Sequence, residues 1–121
     1  MIYDPLKQVV DESLVVDSTV LQELRAFRGK PKLEYLPGIN PTEERERLST
    51  VVNQLIDALL FGIEAHPTKL WVMAEFQRHL ATVQNEDTEG REHLGIEIER
   101  IMDILSIESS DGLLSFYLGG L

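Results

Sequence analysis

The stretch that decides the fold is residues 40–63, "NPTEERERLSTVVNQLIDALLFGI". Asn40 is suited to cap a helix, Pro41 to occupy its first position, and Glu43 stands where a capping box needs an acid. The apolar residues that follow recur at helical spacing and, at about 100° per residue, cover roughly 180° of the helix surface. This arc is wider than a surface helix needs, and it predicts a helix at the centre of a bundle. The residues concerned are Leu48, Val51, Val52, Leu55, Ile56, Leu59, Leu60 and Ile63.

Helical patterns also lie on both sides of this stretch. They predict a short helix from Asp4 to about Leu14, a second from Asp17 or Ser18 to Gly29, a fourth over 68–84, a fifth over 88–106 and a short sixth that is capped at Ser109 or Ser110 and stops at Gly119. Residues 29–41 are predicted to form a loop that packs on the core, with a turn at Pro37 and Gly38. The fold class is therefore all-α: a compact single-domain bundle of about five to six helices spanning residues 1–121.

The composition limits the class of protein. With 121 residues, 43% of them hydrophobic, the chain is long enough to bury a core of its own. There is no cysteine, so disulfides and thiolate metal sites are excluded. The first residues lack the pattern of a secretory leader and no apolar run is long enough to span a bilayer, so the sequence predicts a cytoplasmic protein.

The charge is strongly acidic. Lys and Arg total 11 against 21 Asp and Glu, a formal net charge of -10. Residues 84–121 hold nine acids and two bases, which is -7 of that total. Such a charge repels phosphate backbones and anionic lipids, which argues against nucleic-acid and membrane partners. Two interpretations stay open: a solvated surface, or a face for a basic protein formed by Glu86, Asp87, Glu89 and Glu92.

Two aromatic residues, Phe61 and Trp71, project away from the apolar stripes of their helices. Either a neighbouring segment covers them or they anchor an interface, since aromatic residues carry much of the energy of protein interfaces. They are the remaining candidates for partner binding.

Acid–histidine pairs at i, i+4 occur twice, as Glu75 with His79 and as Glu89 with His93, and Glu97 follows one turn later. A carboxylate and a histidine at this spacing can share a metal ion or a proton. Bundle di-iron sites instead use Glu-x-x-His, and Glu89 and His93 face away from the apolar stripe of their helix. The pattern therefore favours surface ion pairs, and we predict no catalytic residue, metal ligand or cofactor.

Two further segments have alternative interpretations. Arg25, Arg28, Lys30 and Lys32 either complement a helix end and solubilise the loop, or form an anion or partner site. The tail "SSDGLLSFYLGGL" (109–121) forms either a short helix clamped onto the bundle or a hook for another chain.

The block "DTEGREHLGIEIERIMDILSIESSDGLLSFYLGG" (87–120) resembles the C-terminal signature of a small bacterial family known only as a domain of unknown function. "LPGINPTEERERL" (36–48) and "HPTK" (66–69) are similar to its central part. The resemblance covers roughly residues 33–120. It implies a stand-alone bacterial cytoplasmic protein of helical fold, and it brings no catalytic residue with it.

These residues do not indicate a single function, and three hypotheses stay open. The first is a non-enzymatic module, of inhibitor or immunity type, that binds a basic protein. The second is a metal-dependent or acid–base enzyme that uses the helix-borne Glu and His. The third is a structural homodimer with the tail or Trp71 at its interface.

Overall fold

The computed structural model describes residues 3–34 and 41–119, and over these residues the chain is all-α. The α-helices of this part of the chain are α1 (Ser18–Arg28), α2 (Pro41–Gly62), α3 (Lys69–Leu80), α4 (Thr88–Ile104) and α5 (Leu113–Leu118). Single 3-10 turns occupy Pro5–Gln8 and Ala81–Val83. The predicted all-α bundle is confirmed.

Side-chain caps fix the beginnings of three helices. The carboxylate of Asp17 accepts from the Val20 amide, the hydroxyl of Thr68 from the Trp71 amide, and the carboxylate of Asp87 from the Gly90 amide. Each bond satisfies one of the amides that a helix leaves unpaired in its first turn. α2 begins at Pro41 as predicted, whereas its predicted cap, Asn40, lies outside the described residues.

α2 is the central helix. It packs against α1, α3 and α4, while α5 bridges α3 and α4 on the other side of the core. The middle of its apolar arc has no exposed surface, and Val51 and Leu60 at the edges of the arc are half-buried against the core. The fully buried residues are Leu48, Val52, Leu55, Ile56 and Leu59 of α2 and Ile63 directly after it.

The prediction of a first helix is correct only for the single turn at Pro5–Gln8 and is wrong for the residues that follow it. After Pro5–Gln8 the chain runs extended, and Ser13 forms an isolated antiparallel bridge with Thr68. β-Branched residues favour this extended course. The Asp11 carboxylate also accepts from the Leu70 amide at 2.9 Å, a bond that competes with helix formation.

Asp111 ties this N-terminal segment to the rest of the bundle. Its carboxylate oxygen Oδ2 lies 2.8 Å from the Val10 amide nitrogen and 2.8 Å from Lys69 Nζ, and both groups donate to it. The hydrogen bond from Lys69, followed by that from Val10, lowers the pKa of Asp111 below its ordinary 3.8. The segment, α3 and the turn before α5 are therefore joined at one carboxylate.

The tail forms the predicted short helix. Gly112, with a φ of 90°, turns the chain into α5. Leu113, Leu114, Tyr117 and Leu118 are then buried against the bundle.

The loop after α1 packs on the core over the part that is described, with Leu33 buried, while residues 35–40 lie outside the described residues. No helix of the described residues is long and apolar enough to cross a membrane.

Candidate functional site

α2 and α4 place their N-termini side by side. A β-carbon added at Gly90 would lie 2.6 Å from Glu44 Oε1 and 3.4 Å from Leu48 Cδ1. The missing side chain at Gly90 therefore allows the two helices to approach closely. As a consequence, acids from the first turns of two helices share one surface.

We call this surface the acidic end and define it by Glu43, Glu44, Glu86, Asp87 and Glu89, around Arg47. Four of the acids and the arginine line a cleft of about 270 Å³. Arg47 holds Glu86 with two hydrogen bonds of 2.8 Å each, Nε to Oε1 and Nη2 to Oε2. Asp87 is occupied as the cap of α4, with 2.7 Å between its Oδ1 and the Gly90 nitrogen. Glu86 and Asp87, both predicted for partner binding, are thus built into the fold as well.

The carboxylates of the acidic end repel one another. Partial burial raises the pKa of Glu44 above its ordinary 4.5, and the nearby charges of Asp87 and Glu86 raise it further. Arg47 acts in the opposite direction but more weakly than those two acids. Negative charge at this end of the bundle is therefore only partly neutralised within the chain.

Glu92 continues the acidic end along α4, and both Glu89 and Glu92 have exposed side chains. Glu89 belongs to the first turn of α4, where a carboxylate complements the positive end of the helix. Their placement is compatible with the predicted contact with a partner, which stays a prediction.

The two aromatic candidates lie at the opposite end of α2. Seventeen residues separate Glu44 from Phe61, about 25 Å along a helix that rises 1.5 Å per residue. Phe61 is 96% exposed. Trp71 is half-buried, with its ring stacked on that of His66 at 5.6 Å between centroids. The predicted partner-binding residues therefore form two separate groups, acidic and aromatic.

The structure does not assemble the metal candidates. His79 Nδ1 lies 2.9 Å from the backbone carbonyl oxygen of Glu75, while the Glu75 carboxylate pairs with Arg78. Glu75 and His79 are on α3, whereas Glu89, His93 and Glu97 are on α4. Within residues 3–34 and 41–119, no group of three or more His, Asp or Glu side chains is arranged to hold a metal ion.

Glu97 is the acid whose predicted position at the surface is wrong. It was grouped with surface ion pairs, yet only 4% of it is exposed. Its Oε1 accepts from Arg100 Nη1 at 2.8 Å, while its Oε2 is buried without a hydrogen-bond partner. Burial raises the pKa of Glu97 above 4.5, against the opposing effects of Arg100 and Lys32. A buried carboxylate with a perturbed pKa beside a cleft is a common mark of a functional position.

Lys32 is the second misplaced charge, since it was expected to solubilise the loop and is 3% exposed. Its Nζ donates to the carbonyl oxygens of Phe27, of Arg28 at 3.1 Å and of Lys30 at 2.6 Å. It also lies 4.8 Å from the centre of the Phe27 ring. Lys32 therefore folds back as a cationic cap on the C-terminus of α1.

Arg28, another member of the basic cluster, is engaged by α2. Its Nε lies 2.8 Å from Asp57 Oδ1 and its Nη2 lies 3.2 Å from Asp57 Oδ2. Arg28 and Lys32 are thus engaged within the chain, but in other roles than the helix complement and the solubilised loop that the sequence predicted.

Comparison with known proteins identifies the family. Residues 15–121 match the family described as "Domain of unknown function (DUF4844)". The chain belongs to this family. No curated protein and no solved structure matches it.

The DUF4844 match is longer than the resemblance read from the sequence, since it begins at residue 15 and not at about 33. It includes α1 to α5, and hence both the acidic end and Glu97. The extended segment before residue 15 lies outside the matched range, although the Asp111 carboxylate fastens it to the bundle. Membership of DUF4844 assigns no activity, so the function has to be argued from the residues.

Proposed function

We propose that this DUF4844 protein is a non-enzymatic binding module, of inhibitor or immunity type, whose acidic end docks on a basic protein. The observation that carries the proposal is the meeting of the N-termini of α2 and α4, which places four carboxylates around one arginine and a fifth, that of Glu89, close to Glu44. The sequence presents these acids as two separate runs.

The charge of the acidic end exceeds what the fold requires. Glu43, Glu44, Glu86, Asp87 and Glu89 contribute -5 when ionised, and Arg47 contributes +1. Two helix N-termini act as roughly +0.5 each. About three negative charges therefore remain without a counterion, and three of the acids, Glu43, Asp87 and Glu89, are exposed.

A cationic partner would relieve this repulsion. It would stabilise the ionised form of Glu44, whose pKa is raised by burial and by Asp87 and Glu86. Charge complementarity of this kind acts chiefly on the rate of association and on the choice of partner. These are the properties that a protein inhibitor of a basic target requires.

The proposal extends to the setting of the protein. We infer a bacterial cytoplasmic protein that works as one domain over residues 1–121. The absence of cysteine suits a reducing compartment. The net charge of -10 disfavours nucleic acids and anionic membranes as partners.

The test compares two variants of equal charge. The site variant carries Gln at Glu43, Glu44, Glu89 and Glu92. The control variant carries Gln at Glu12, Glu64, Glu99 and Glu108, which are exposed and lie elsewhere on the chain. Both variants change the net charge from -10 to -6. The site variant leaves the Asp87 cap and the Arg47–Glu86 pair intact.

Immobilised wild-type protein would first capture partners at low salt from cells of the source organism, and the captured protein would then be purified. We expect the site variant to associate with it at least about tenfold more slowly than wild type, and the control variant to stay close to wild type. Equal association rates for the two variants would show that net charge, and not the acidic end, governs binding. A captured partner without a basic surface would contradict the proposal outright.

A further inference from the structure

The segment of residues 30–34, here called the strap, runs from the end of α1 over α4 and covers Glu97. Its centre is buried: Leu33 is 5% exposed and Lys32 is 3% exposed. Leu33 has a φ of 59°, in the left-handed region that a branched side chain rarely adopts. The strap is thus held in an unfavourable conformation by the contacts that it makes.

Clefts lie on both sides of the strap. One of about 200 Å³ lies against α4, lined by His93, Glu97 and Arg100 together with Pro31 and Glu34. The other, of about 710 Å³, lies against α2 and is also lined by Pro31 and Glu34. The strap is the partition between these two clefts.

Each cleft is lined by a residue that has a buried side-chain oxygen without a hydrogen-bond partner. These residues are Glu97, with its Oε2, on the α4 side and Asn53, with its Oδ1, on the α2 side. A buried acceptor left unpaired is unfavourable, because water would otherwise hydrogen-bond to it. Lifting the strap would join the clefts and give water access to the Glu97 carboxylate.

The charged groups around Glu97 come from each neighbouring segment. Arg100 and His93 face it from α4, and Lys32 and Glu34 from the strap. Arg28 and Lys30 surround Lys32 at the end of α1, and Arg45 and Glu46 of α2 line the cleft beyond the strap. Among the described residues, Arg100 is the cation that hydrogen-bonds to the Glu97 carboxylate.

We propose that the strap is a lid over Glu97, closed when this carboxyl group is protonated and increasingly open when it is ionised. Closure removes the carboxylate from water and leaves Oε2 without a donor. Opening hydrates the carboxylate and releases Leu33 from its left-handed conformation. The device is separate from the acidic end and does not depend on the proposed function.

The direction of the pH response follows from the environment of Glu97. Burial raises the pKa of Glu97 above 4.5 in the closed state, while Arg100, Lys32 and the backbone amide of Leu33 in the strap each lower it by less. A group whose pKa is higher in the closed state favours closure as the pH falls. The change begins at the raised pKa and is complete near 4.5, the value of a hydrated Glu.

Lys32 opposes the effect of burial on Glu97. Its charge lowers the pKa of Glu97, but by less than burial raises it. Burial in turn lowers the pKa of Lys32 from 10.5, and the charge of Glu97 opposes that effect.

The test is amide hydrogen exchange of Lys32, Leu33 and Glu34 between pH 4.5 and 8, corrected at each pH for the intrinsic exchange rate. In wild type we expect the open fraction to increase with pH, by at most tenfold per pH unit because one proton is involved. In Glu97→Gln the open fraction should not change with pH. In the control Glu108→Gln, which alters an exposed acid, it should change as in wild type.

Exchange of core amides such as those of Leu55 and Leu94 separates lid opening from global unfolding. A wild-type strap whose open fraction does not depend on pH would overturn the proposal, as would an unchanged pH dependence in Glu97→Gln. If that variant fails to fold, carboxyl NMR of the wild type decides. A pKa of Glu97 above 4.5 supports the lid, and one at or below 4.5 overturns it.

Discussion

At the scale of single residues, Gly62 has the most demanding steric position. A β-carbon at this residue would lie 2.6 Å from Trp71 Cζ2 and 2.9 Å from Cη2. The indole ring is rigid and is stacked on His66, so it cannot yield as the end of a flexible side chain would. The half-buried placement of Trp71 therefore depends on the absence of a side chain at the end of α2.

We expect Gly62→Ala to lower the free energy of unfolding by about 1–3 kcal/mol, the usual effect of overpacking. This loss is net of the roughly 1 kcal/mol that alanine gains over glycine within a helix. The measurement is urea unfolding followed by tryptophan fluorescence, which also reports displacement of the single indole ring.

Gly29→Ala is the matched control for this substitution. Gly29 has a φ of -82°, and its added β-carbon would meet atoms only at 3.7 and 4.0 Å, which is ordinary contact. Its stability should stay within about 0.5 kcal/mol of wild type. Equal effects of the two alanines would show that the Gly62–Trp71 contact is not restrictive.

The burial of Glu97 and Lys32 could not be predicted from their residue types. Both are charged residues in polar stretches, and the sequence predicted them at the surface. Their burial depends on the strap crossing α4, a tertiary contact with no periodic signal. One signal was present: Glu97 is flanked along α4 by the core residues Leu94, Ile98 and Ile101, which places it at the edge of the buried stripe.

At the scale of elements, Asp111 controls how the N-terminal segment docks. We expect Asp111→Asn to lower the free energy of unfolding by about 1–3 kcal/mol at neutral pH, because it leaves the buried ammonium of Lys69 without its anion. Asn suits the φ of 55° at this position, so the substitution isolates the charge. The measurement is chemical denaturation of both proteins across pH.

The pH dependence of this effect has a definite sign. The pKa of Asp111 is lowered, first by the hydrogen bond from Lys69. Its stabilisation is therefore present above 3.8 and is lost as the pH falls through the lowered value. The difference between wild type and variant should shrink below pH 3.8, and a difference that stays constant there would contradict this account of Asp111.

Elements were predictable to the extent that their signals were local. α2 carries a proline start, an acidic first turn and a wide apolar arc within one continuous stretch, and its bounds agree with the prediction. The segment after Pro5–Gln8 also has apolar residues at helical spacing, yet its amides and carbonyls pair with Pro67, Lys69 and Asp111. Those partners lie more than 50 residues further along the chain, so no local sequence pattern predicts these hydrogen bonds.

At the scale of the whole molecule, the net charge of -10 opposes compactness. The ion pairs of the described residues compensate only in part. Four of the five have a cation whose side chain is at least 42% exposed, and such pairs contribute about 0–1 kcal/mol each. Repulsion among the remaining acids is long-ranged, and dissolved salt screens it.

We therefore expect added salt to stabilise the protein. Increasing NaCl from 0.01 M to 0.15 M shortens the screening length from about 30 Å to about 8 Å, below the dimensions of the bundle. The midpoint of thermal unfolding should increase by at least about 3 °C, equivalent to roughly 1 kcal/mol for a domain of this size. Differential scanning calorimetry at neutral pH measures it.

The two charge variants turn this response into a test of where the repulsion resides. If it is concentrated at the acidic end, Gln at Glu43, Glu44, Glu89 and Glu92 should remove more of the salt response than Gln at Glu12, Glu64, Glu99 and Glu108. Equal reductions would indicate repulsion spread over the whole surface, and a midpoint that does not increase with salt would contradict the charge argument. Because this measurement needs no partner, it determines independently of binding whether the meeting of α2 and α4 creates an unneutralised negative end.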